Sequence, residues 1–139
     1  MSATITIAFA CNLAAVLLLA AFGITYLTRR EFMPYHAVAL GKSWAEVGPP
    51  VRVLVLALMK ALGGLCLTVA LLQLALLLLP FRQGVAWSLW VVPAAGLSVS
   101  AASLYGMSLV ARDTPASPPW ILPVIGGALS TAGLGLSLL

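Results

Sequence analysis

Four long stretches of this chain carry almost no charged side chains. They are residues 3–27, 51–79, 85–111 and 120–139. At a rise of about 1.5 Å per residue, each reaches the ~20 residues that cross a ~30 Å hydrocarbon layer. Their apolar residues do not alternate as in a strand, so each stretch predicts a membrane-spanning helix. We therefore expect an all-α membrane protein, with residues 1–139 forming a single domain of four transmembrane helices in an antiparallel bundle.

The composition supports a membrane location. The chain has 139 residues, of which 63% are hydrophobic and 7% are charged, and its mean hydropathy is +1.14. So few polar side chains cannot cover a water-soluble core of this size, and the lipid bilayer is the expected surrounding. The net charge of +4 is explained by Lys and Arg facing anionic lipid headgroups, so no nucleic-acid partner is expected.

Basic residues predict the orientation of the chain. The loops after the first and third stretches are richer in Lys and Arg than the turn after the second stretch, which holds only Arg82. These loops are residues 28–50 and 112–119, with Arg29, Arg30, Lys42 and Arg112. The rule that basic loops stay inside predicts an inner-membrane protein with both termini outside and these two loops in the cytoplasm. The first stretch has no basic residue before it, so we expect a permanent helix and not a cleaved signal.

Prolines and small residues predict the connections and contacts of the helices. Pro80 is expected to end the second spanning helix and begin a hairpin of about five residues, which makes the second and third spanning helices neighbours. Pro93 predicts a kink or a break in the third. Small residues at helical spacing predict the contact faces. They are Gly64 with Thr68, Ser98 with Ala102, and Gly126 with Ser130 or Gly127 with Thr131. The serines at 98, 100, 103 and 108 leave open either ordinary packing or the lining of a small polar cavity.

The loop after the first stretch contains the sequence FMPYHAVALGKSWAEV over residues 32–47. Pro34 suits the first turn of a helix, and the Gly-Pro-Pro at residues 48–50 would end it. Apolar and polar side chains separate to two sides, which predicts a short amphipathic helix lying in the membrane interface. The apolar side has Ala37, Val38, Leu40, Gly41, Trp44 and Ala45, and the polar side has His36, Ser43 and Glu46.

Lys60 has two interpretations. It lies at the membrane boundary with its amine reaching the headgroups, or it lies inside the membrane and is paired with Glu31, His36 or Glu46. In both cases we expect residues 28–50 to fold back on the second spanning helix.

The same region supplies the candidate site residues. Glu31, His36, Glu46 and Lys60 are the candidate acid–base residues of an enzyme acting on a lipid, quinone or sterol-like molecule. Their spacing matches no catalytic signature, so the favoured interpretation assigns no catalytic residue, and enzymatic activity is left open. The ligand-binding candidates are Tyr35, His36, Trp44 and Lys60. A single histidine and two separated cysteines predict no metal site, and no cofactor is expected.

A further set of residues carries a resemblance to known proteins. The set comprises Phe32, Met33, Pro34, Tyr35, His36, Gly41, Trp44, Met59, Lys60, Gly63, Gly64, Pro80, Arg82, Gly84 and Trp87. In these residues the middle half of the chain resembles a group of small four-span bacterial membrane proteins that carry an FMPYH loop. In size and number of spans the chain is also similar to the DoxX-like and anthrone-oxygenase-like families, although it matches none of their functional residues. The resemblance implies a four-span fold and no particular activity.

Three functions remain open from the sequence. The favoured one is a small non-enzymatic accessory or structural subunit, which packs against a membrane-protein partner or against copies of itself. The second is a small protein that binds, or an enzyme that acts on, a lipid, quinone or sterol-like ligand. The third is a small oligomeric transporter, for which an acidic residue deep in a span is expected. None of the three acidic residues lies there.

Overall fold

The computed structural model describes residues 2–139, and over this range the chain is all-helical, with five α-helices and no β-strand. The helices are α1 (Ala3–Thr28), α2 (Pro34–Leu40), α3 (Pro49–Leu76), α4 (Ser88–Asp113) and α5 (Ile121–Ser137). A 3-10 turn, Trp44–Glu46, lies between α2 and α3, and a π-helical turn, Leu77–Phe81, extends α3. The prediction of an all-α chain is confirmed.

Three helices are long and apolar enough to cross a membrane. They are α1, α3 with its π-helical extension, and α4. Helix α5 is apolar but has 17 residues, so it is shorter than the stretch predicted from the sequence. The outer surface of the helices carries exposed large apolar side chains, among them Leu17, Leu71 and Ile121. Such a surface is compatible with an integral membrane protein, since in water it would drive association.

Helix α1 packs against both α3 and α5, and α4 packs mainly against α5. The contact between α1 and α3 is closest at two glycines: a Cβ on Gly23 would lie 2.9 Å from the carbonyl oxygen of Gly63, and a Cβ on Gly63 would lie 2.8 Å from that of Gly23. Glycine is required on both sides because the two backbones touch. Gly133 of α5 similarly faces the side chain of Asn12 in α1, and Gly96 of α4 faces Ser130 in α5.

The predicted contact faces are right on α5 and wrong on α3 and α4. Gly126 and Ser130 face α4, but Gly64 has no neighbour within 4 Å of its open side, and Ser98 is exposed. The actual contacts use Gly63 and Gly96. Because each residue turns an α-helix by about 100°, a shift of one or two positions moves a contact to another face. Spacing alone does not distinguish between such neighbouring glycines.

Pro80 was predicted to end the second spanning helix, but the helix does not end there. The helix continues through Pro80 as the π-helical turn, and the chain reverses at Gly84, whose φ is 71°. The wider π-helical turn gives room to the carbonyl that a proline ring would contact in a regular α-helix. Leu77 and Phe81 of this turn are fully buried. With Ala8 and Val92 they form an apolar cluster, which we call the hairpin cluster.

Helices α3 and α4 are neighbours at the hairpin and separate further along. The side-chain nitrogen Nε2 of Gln73 donates a hydrogen bond of 3.2 Å to the carbonyl of Val92, just before Pro93. Helix α4 continues through Pro93 without a break. Beyond this hydrogen bond α3 follows α1 while α4 follows α5, so a groove opens between them.

The predicted interfacial helix is two separate pieces. Gly41, with a φ of 61°, ends α2, and the 3-10 turn begins three residues later at Trp44. A glycine in the left-handed conformation is a common end of an α-helix, and it stops this one before the Gly-Pro-Pro. On the predicted apolar side, Ala37 and Trp44 pack against buried residues of the loop, whereas Val38 and Leu40 are about half exposed at the outer surface. The fully buried side chains of this loop are Phe32 and Val47, which come before and after the predicted helix face in the sequence.

Candidate ligand site

A groove of about 400 Å³ lies between α3 and α4, with α1 at its base. This volume is within the range of ~300–1,000 Å³ typical of small-molecule sites. Its lining is mostly apolar. The lining residues are Leu19, Phe22, Tyr26, Tyr35, Leu62, Leu65, Cys66, Val69, Val99, Ala102, Ser103, Gly106 and Met107. The groove is partly open along the outer surface, where Leu62 and Leu65 are exposed.

Two tyrosines close the groove at the end nearest α2. The hydroxyl oxygens of Tyr26 and Tyr35 are 2.8 Å apart and share a hydrogen bond. Tyr26 belongs to α1 and is 4% exposed, whereas Tyr35 belongs to α2 and is half-buried. Burial raises the pKa of Tyr35 above its usual value of 10.0, so this phenol is neutral near pH 7. The groove therefore ends at an uncharged polar pair that retains capacity to accept hydrogen bonds.

A smaller cavity of about 60 Å³ lies on the inner side of the groove, between α1, α4 and α5. The two spaces are adjacent because five residues line both. They are Leu19, Phe22, Val99, Ser103 and Met107. The polar residues of the smaller cavity are Gln73, Ser100, Ser103 and Ser130. We call this space the inner cavity.

The α4 serines do not all have the same role. Ser100 and Ser103 line the inner cavity. Ser98 and Ser108 are exposed and donate hydrogen bonds of 2.9 Å and 2.6 Å to carbonyls of their own helix. The polar-cavity alternative that the sequence left open therefore applies to two of the four serines.

Lys60 pairs with the end of α1 and not with an acidic side chain. Its amine donates hydrogen bonds to the carbonyl oxygens of Leu27 and Arg29. These carbonyls belong to the C-terminal end of the helix, where unpaired carbonyls carry partial negative charge. Over residues 2–139 the one ion pair is between Arg112 and Asp113. Of the two interpretations of Lys60, the one that pairs it with Glu31, His36 or Glu46 is therefore wrong.

His36 stabilises the start of α2. Its Nδ1 accepts a hydrogen bond of 3.3 Å from the backbone N–H of Met33. The ring contacts Phe32 and Tyr35 edge-on. Burial lowers the pKa of His36 below its ordinary value of 6.5, which favours the neutral ring that this hydrogen bond needs. His36 does not line the groove.

The two glutamates lie at the surface. Glu46 accepts hydrogen bonds of 2.7 Å and 2.6 Å from the backbone and the hydroxyl of Ser43, and these bonds lower the pKa of Glu46. Glu31 is exposed. Lys60, His36 and Glu46 thus have separate partners, Glu31 is exposed, and none of the four candidate acid–base residues lines the groove.

Trp44 packs within the loop rather than in the groove. Its ring meets Phe32 edge-on at 4.9 Å between centroids, and the guanidinium of Arg52 lies 5.6 Å from its ring. The buried residues around it are Tyr26, Phe32, Val47 and Met59, which we call the loop cluster. Residues 28–50 therefore fold back on α3, as predicted. Of the four ligand-binding candidates, only Tyr35 lines the groove.

Across residues 2–139, no three His, Cys, Asp or Glu side chains come close enough together to hold a metal ion. No protein-family model matches the chain, and no curated protein or solved structure matches it significantly. The sequence analysis missed most of the groove residues, such as Phe22, Cys66 and Met107. They lie on three helices and show no common spacing.

Proposed function

We propose that this chain is an integral inner-membrane protein that binds one uncharged, lipid-soluble molecule in the groove between α3 and α4. The observation that carries the proposal is the groove of about 400 Å³, whose lining is mostly apolar and which is partly open at the outer surface. A molecule dissolved in the bilayer would enter sideways between the two helices. This proposal favours the ligand-binding alternative over the accessory subunit.

The proposal includes α5 as a fourth span. Its 17 residues correspond to about 26 Å, at the lower end of the ~17–25 residues of spanning helices. The contacts of Gly23 with Gly63 and of Gly96 with Ser130 support an antiparallel bundle. With the basic loops in the cytoplasm, both termini are outside and the tyrosine pair lies near the cytoplasmic surface.

The proposed role is binding without catalysis. The candidate acid–base residues are engaged elsewhere, with Lys60 on the end of α1, His36 on the start of α2 and Glu46 on Ser43. The remaining polar groups of the groove are hydroxyls and a thiol, which orient a ligand and are neutral at physiological pH.

Photolabelling tests the proposal. The protein is reconstituted in phosphatidylcholine vesicles with a long-chain alcohol that carries a diazirine in mid-chain, and labelled peptides are identified by mass spectrometry. Gly106 lines the groove and a Cβ there would have no neighbour within 4 Å, so Gly106→Trp is expected to place its ring in the groove. Gly64 is equally open and does not line the groove, so Gly64→Trp is the matched control.

We expect labelling of the facing parts of α3 and α4 in the unchanged protein and in Gly64→Trp, and an at least fivefold decrease in Gly106→Trp. Equal labelling of all three proteins would contradict binding in the groove.

Cysteine labelling tests the orientation. In a Cys11→Ala, Cys66→Ala background, one new cysteine replaces either Lys42 or Gln83, both of which are exposed. A membrane-impermeant maleimide added to spheroplasts should label Gln83→Cys at once and Lys42→Cys only after permeabilisation. The reverse order would overturn the proposed orientation.

The accessory-subunit function is the second candidate, because one surface of α3 supports it. Lys60 is level with the end of α1, so the start of α3 extends roughly 16 Å beyond that level. One side of this extension packs on the loop cluster. On the other side Val53, Leu54 and Leu58 are 69%, 59% and 62% exposed. Another membrane chain, or a second copy, would cover them.

Native mass measurement after gentle detergent extraction tests this candidate. A partner chain or a second copy should accompany the protein at fixed stoichiometry and be lost in Leu58→Trp. Leu72→Trp is the matched control, since both leucines are 62% exposed on the same helix. A single chain in all three samples would exclude this function.

A further inference from the structure

Ser130 is a buried hydroxyl without a partner. It is 1% exposed, and no other group in the described range 2–139 lies within hydrogen-bonding distance and geometry of its Oγ. Two other buried serines are satisfied: Ser88 donates to the carbonyl of Val85 and Ser137 to that of Gly133, at 2.6 Å and 2.7 Å. A hydroxyl removed from water without a replacement bond destabilises the fold. The exception at Ser130 therefore points to a partner that binds in the inner cavity.

A second polar group lies next to Ser130. A Cβ on Gly96 would contact the Ser130 hydroxyl and lie 3.6 Å from Nε2 of Gln73. Both side chains also line the inner cavity. The amide of Gln73 has two N–H groups, and the hydrogen bond to Val92 uses one of them. The Ser130 hydroxyl and the Gln73 nitrogen, which has one further N–H to donate, thus lie next to each other beside Gly96, an arrangement that suits an oxygen acceptor.

Charge narrows the ligand class. Within the described residues 2–139, no Asp, Glu, Lys, Arg or His lines the groove or the inner cavity. A charged group there would be buried without a counter-charge, which is strongly unfavourable. The ligand that fits both spaces is therefore uncharged.

We infer that the inner cavity holds the polar end of the molecule bound in the groove, and that this end is a carbonyl or hydroxyl oxygen. The inference rests on the proposed function and adds the ligand class, an uncharged lipid-soluble molecule with an oxygen on a slender end. The cavity volume of about 60 Å³ is enough for such an oxygen and its carbon. Phe22 and Met107 line both spaces, and the flexible methionine side chain can adjust to a ligand that extends from one to the other.

The test compares two probes that differ in one oxygen. A long-chain ketone and the corresponding hydrocarbon, each with the same diazirine, are offered to the protein in phosphatidylcholine vesicles. We expect the ketone to label the groove about tenfold more efficiently, which is the effect of one buried hydrogen bond. Ser130→Ala should remove this preference. Ser137→Ala is the matched control, because its hydroxyl is buried on the same helix but already bonded within it.

The outcomes separate this inference from the proposed function. Equal labelling of the groove by both probes, or a preference that persists in Ser130→Ala, overturns the inference and leaves the groove as a binding site. Labelling by neither probe above the level seen in Gly106→Trp overturns the proposed function as well. Ser130→Ala should unfold at the same temperature as the unchanged protein or a higher one, because the variant removes a buried hydroxyl that has no hydrogen-bond partner.

Discussion

The two edges of α3 differ in how they meet their neighbours. Toward α1 the backbones touch at Gly23 and Gly63, where a single Cβ on either residue would lie within 3 Å of the other backbone. Toward α4 the helices separate past the hairpin and leave a groove of about 400 Å³. We refer to these as the closed edge and the open edge of α3.

Small residues alone do not close a helix contact. Ala102 and Gly106 of α4 border the open edge, and neither brings α3 closer. The distance between α3 and α4 is set by other contacts. Helix α1 packs against α3 and α5, and α5 packs against α4, so α3 and α4 are held apart. A groove persists where the contacts of other helices prevent closure, and ligand sites between helices arise in this way.

The largest effect is expected from a substitution that disrupts the closed edge. Gly63→Leu would place a side chain against the backbone oxygen of Gly23 and the backbone nitrogen of Leu27, at 2.8 Å and 2.9 Å from its Cβ. We expect the free energy of unfolding to fall by about 2–3 kcal/mol, as for overpacked contacts. Titration with sodium dodecyl sulfate in mixed micelles measures it. Gly64→Leu, one residue away and unobstructed, should be nearly neutral; similar losses in the two variants would contradict the closed edge.

A smaller effect is expected at the end of the closed edge. Lys60→Met would leave the carbonyls of Leu27 and Arg29 without their donor. We expect the free energy of unfolding to fall by about 1–3 kcal/mol, mainly because the chain after α1 opens locally. Trypsin should then cleave faster after Arg29. Lys42→Met is the control, since Lys42 is exposed, and faster cleavage in that variant would show that charge and not the hydrogen bonds matters.

A local pH effect is expected beside the open edge, where α2 supplies Tyr35. Burial depresses the pKa of His36 below 6.5 in the folded protein, so the unfolded loop binds a proton more readily. The stability of the loop is therefore complete at neutral pH and falls as the pH drops below 6.5. The fluorescence of Trp44, with the other tryptophans replaced by phenylalanine, should report this.

His36 is the single histidine of the chain, so the assignment is direct. In His36→Gln the change between pH 7.5 and pH 5 should disappear. If the fluorescence of Trp44 still changes with pH in this variant, His36 is not the source of the change.

The smallest effect lies away from both edges. Ser43→Ala removes the side-chain hydrogen bond to Glu46, so the pKa of Glu46 should rise toward its ordinary value. Carbon NMR of labelled glutamate measures it. Unfolding and groove labelling should not change. A change in either would show that the 3-10 turn supports the edges of α3.

The sequence predicted the helices better than their ends. The long apolar stretches predicted α1, α3 and α4, because the hydropathy of a segment can be read from its own residues alone. Two helix ends differ from the prediction: a π-helical turn carries the helix past Pro80 to Phe81, and Gly41 in the left-handed conformation ends α2 before the Gly-Pro-Pro. The resemblance to proteins with an FMPYH loop stays a prediction.

The groove was not predictable from the sequence, because it depends on which helices pack together. That choice is made at Gly23, Gly63 and Gly96, through contacts between residues far apart in the chain. The clustered polar residues of the loop predicted Tyr35 correctly. They also predicted Lys60 and His36, which instead form hydrogen bonds with the backbone at helix ends. Polar residues near one another in a sequence identify a site poorly when each has a backbone partner.

The hydrogen bonds of Lys60 also concern how the protein is made. Lys60 lies 33 residues beyond Leu27 and 31 beyond Arg29. If α1 inserts into the bilayer as proposed, it would do so during synthesis, before its last carbonyls have a partner. The Lys60 amine, which donates hydrogen bonds to these carbonyls, is present only once the next apolar helix is being synthesised. We expect the insertion of these two helices to be coupled, with a nascent chain stalled before residue 60 held less firmly in the membrane than one that includes it.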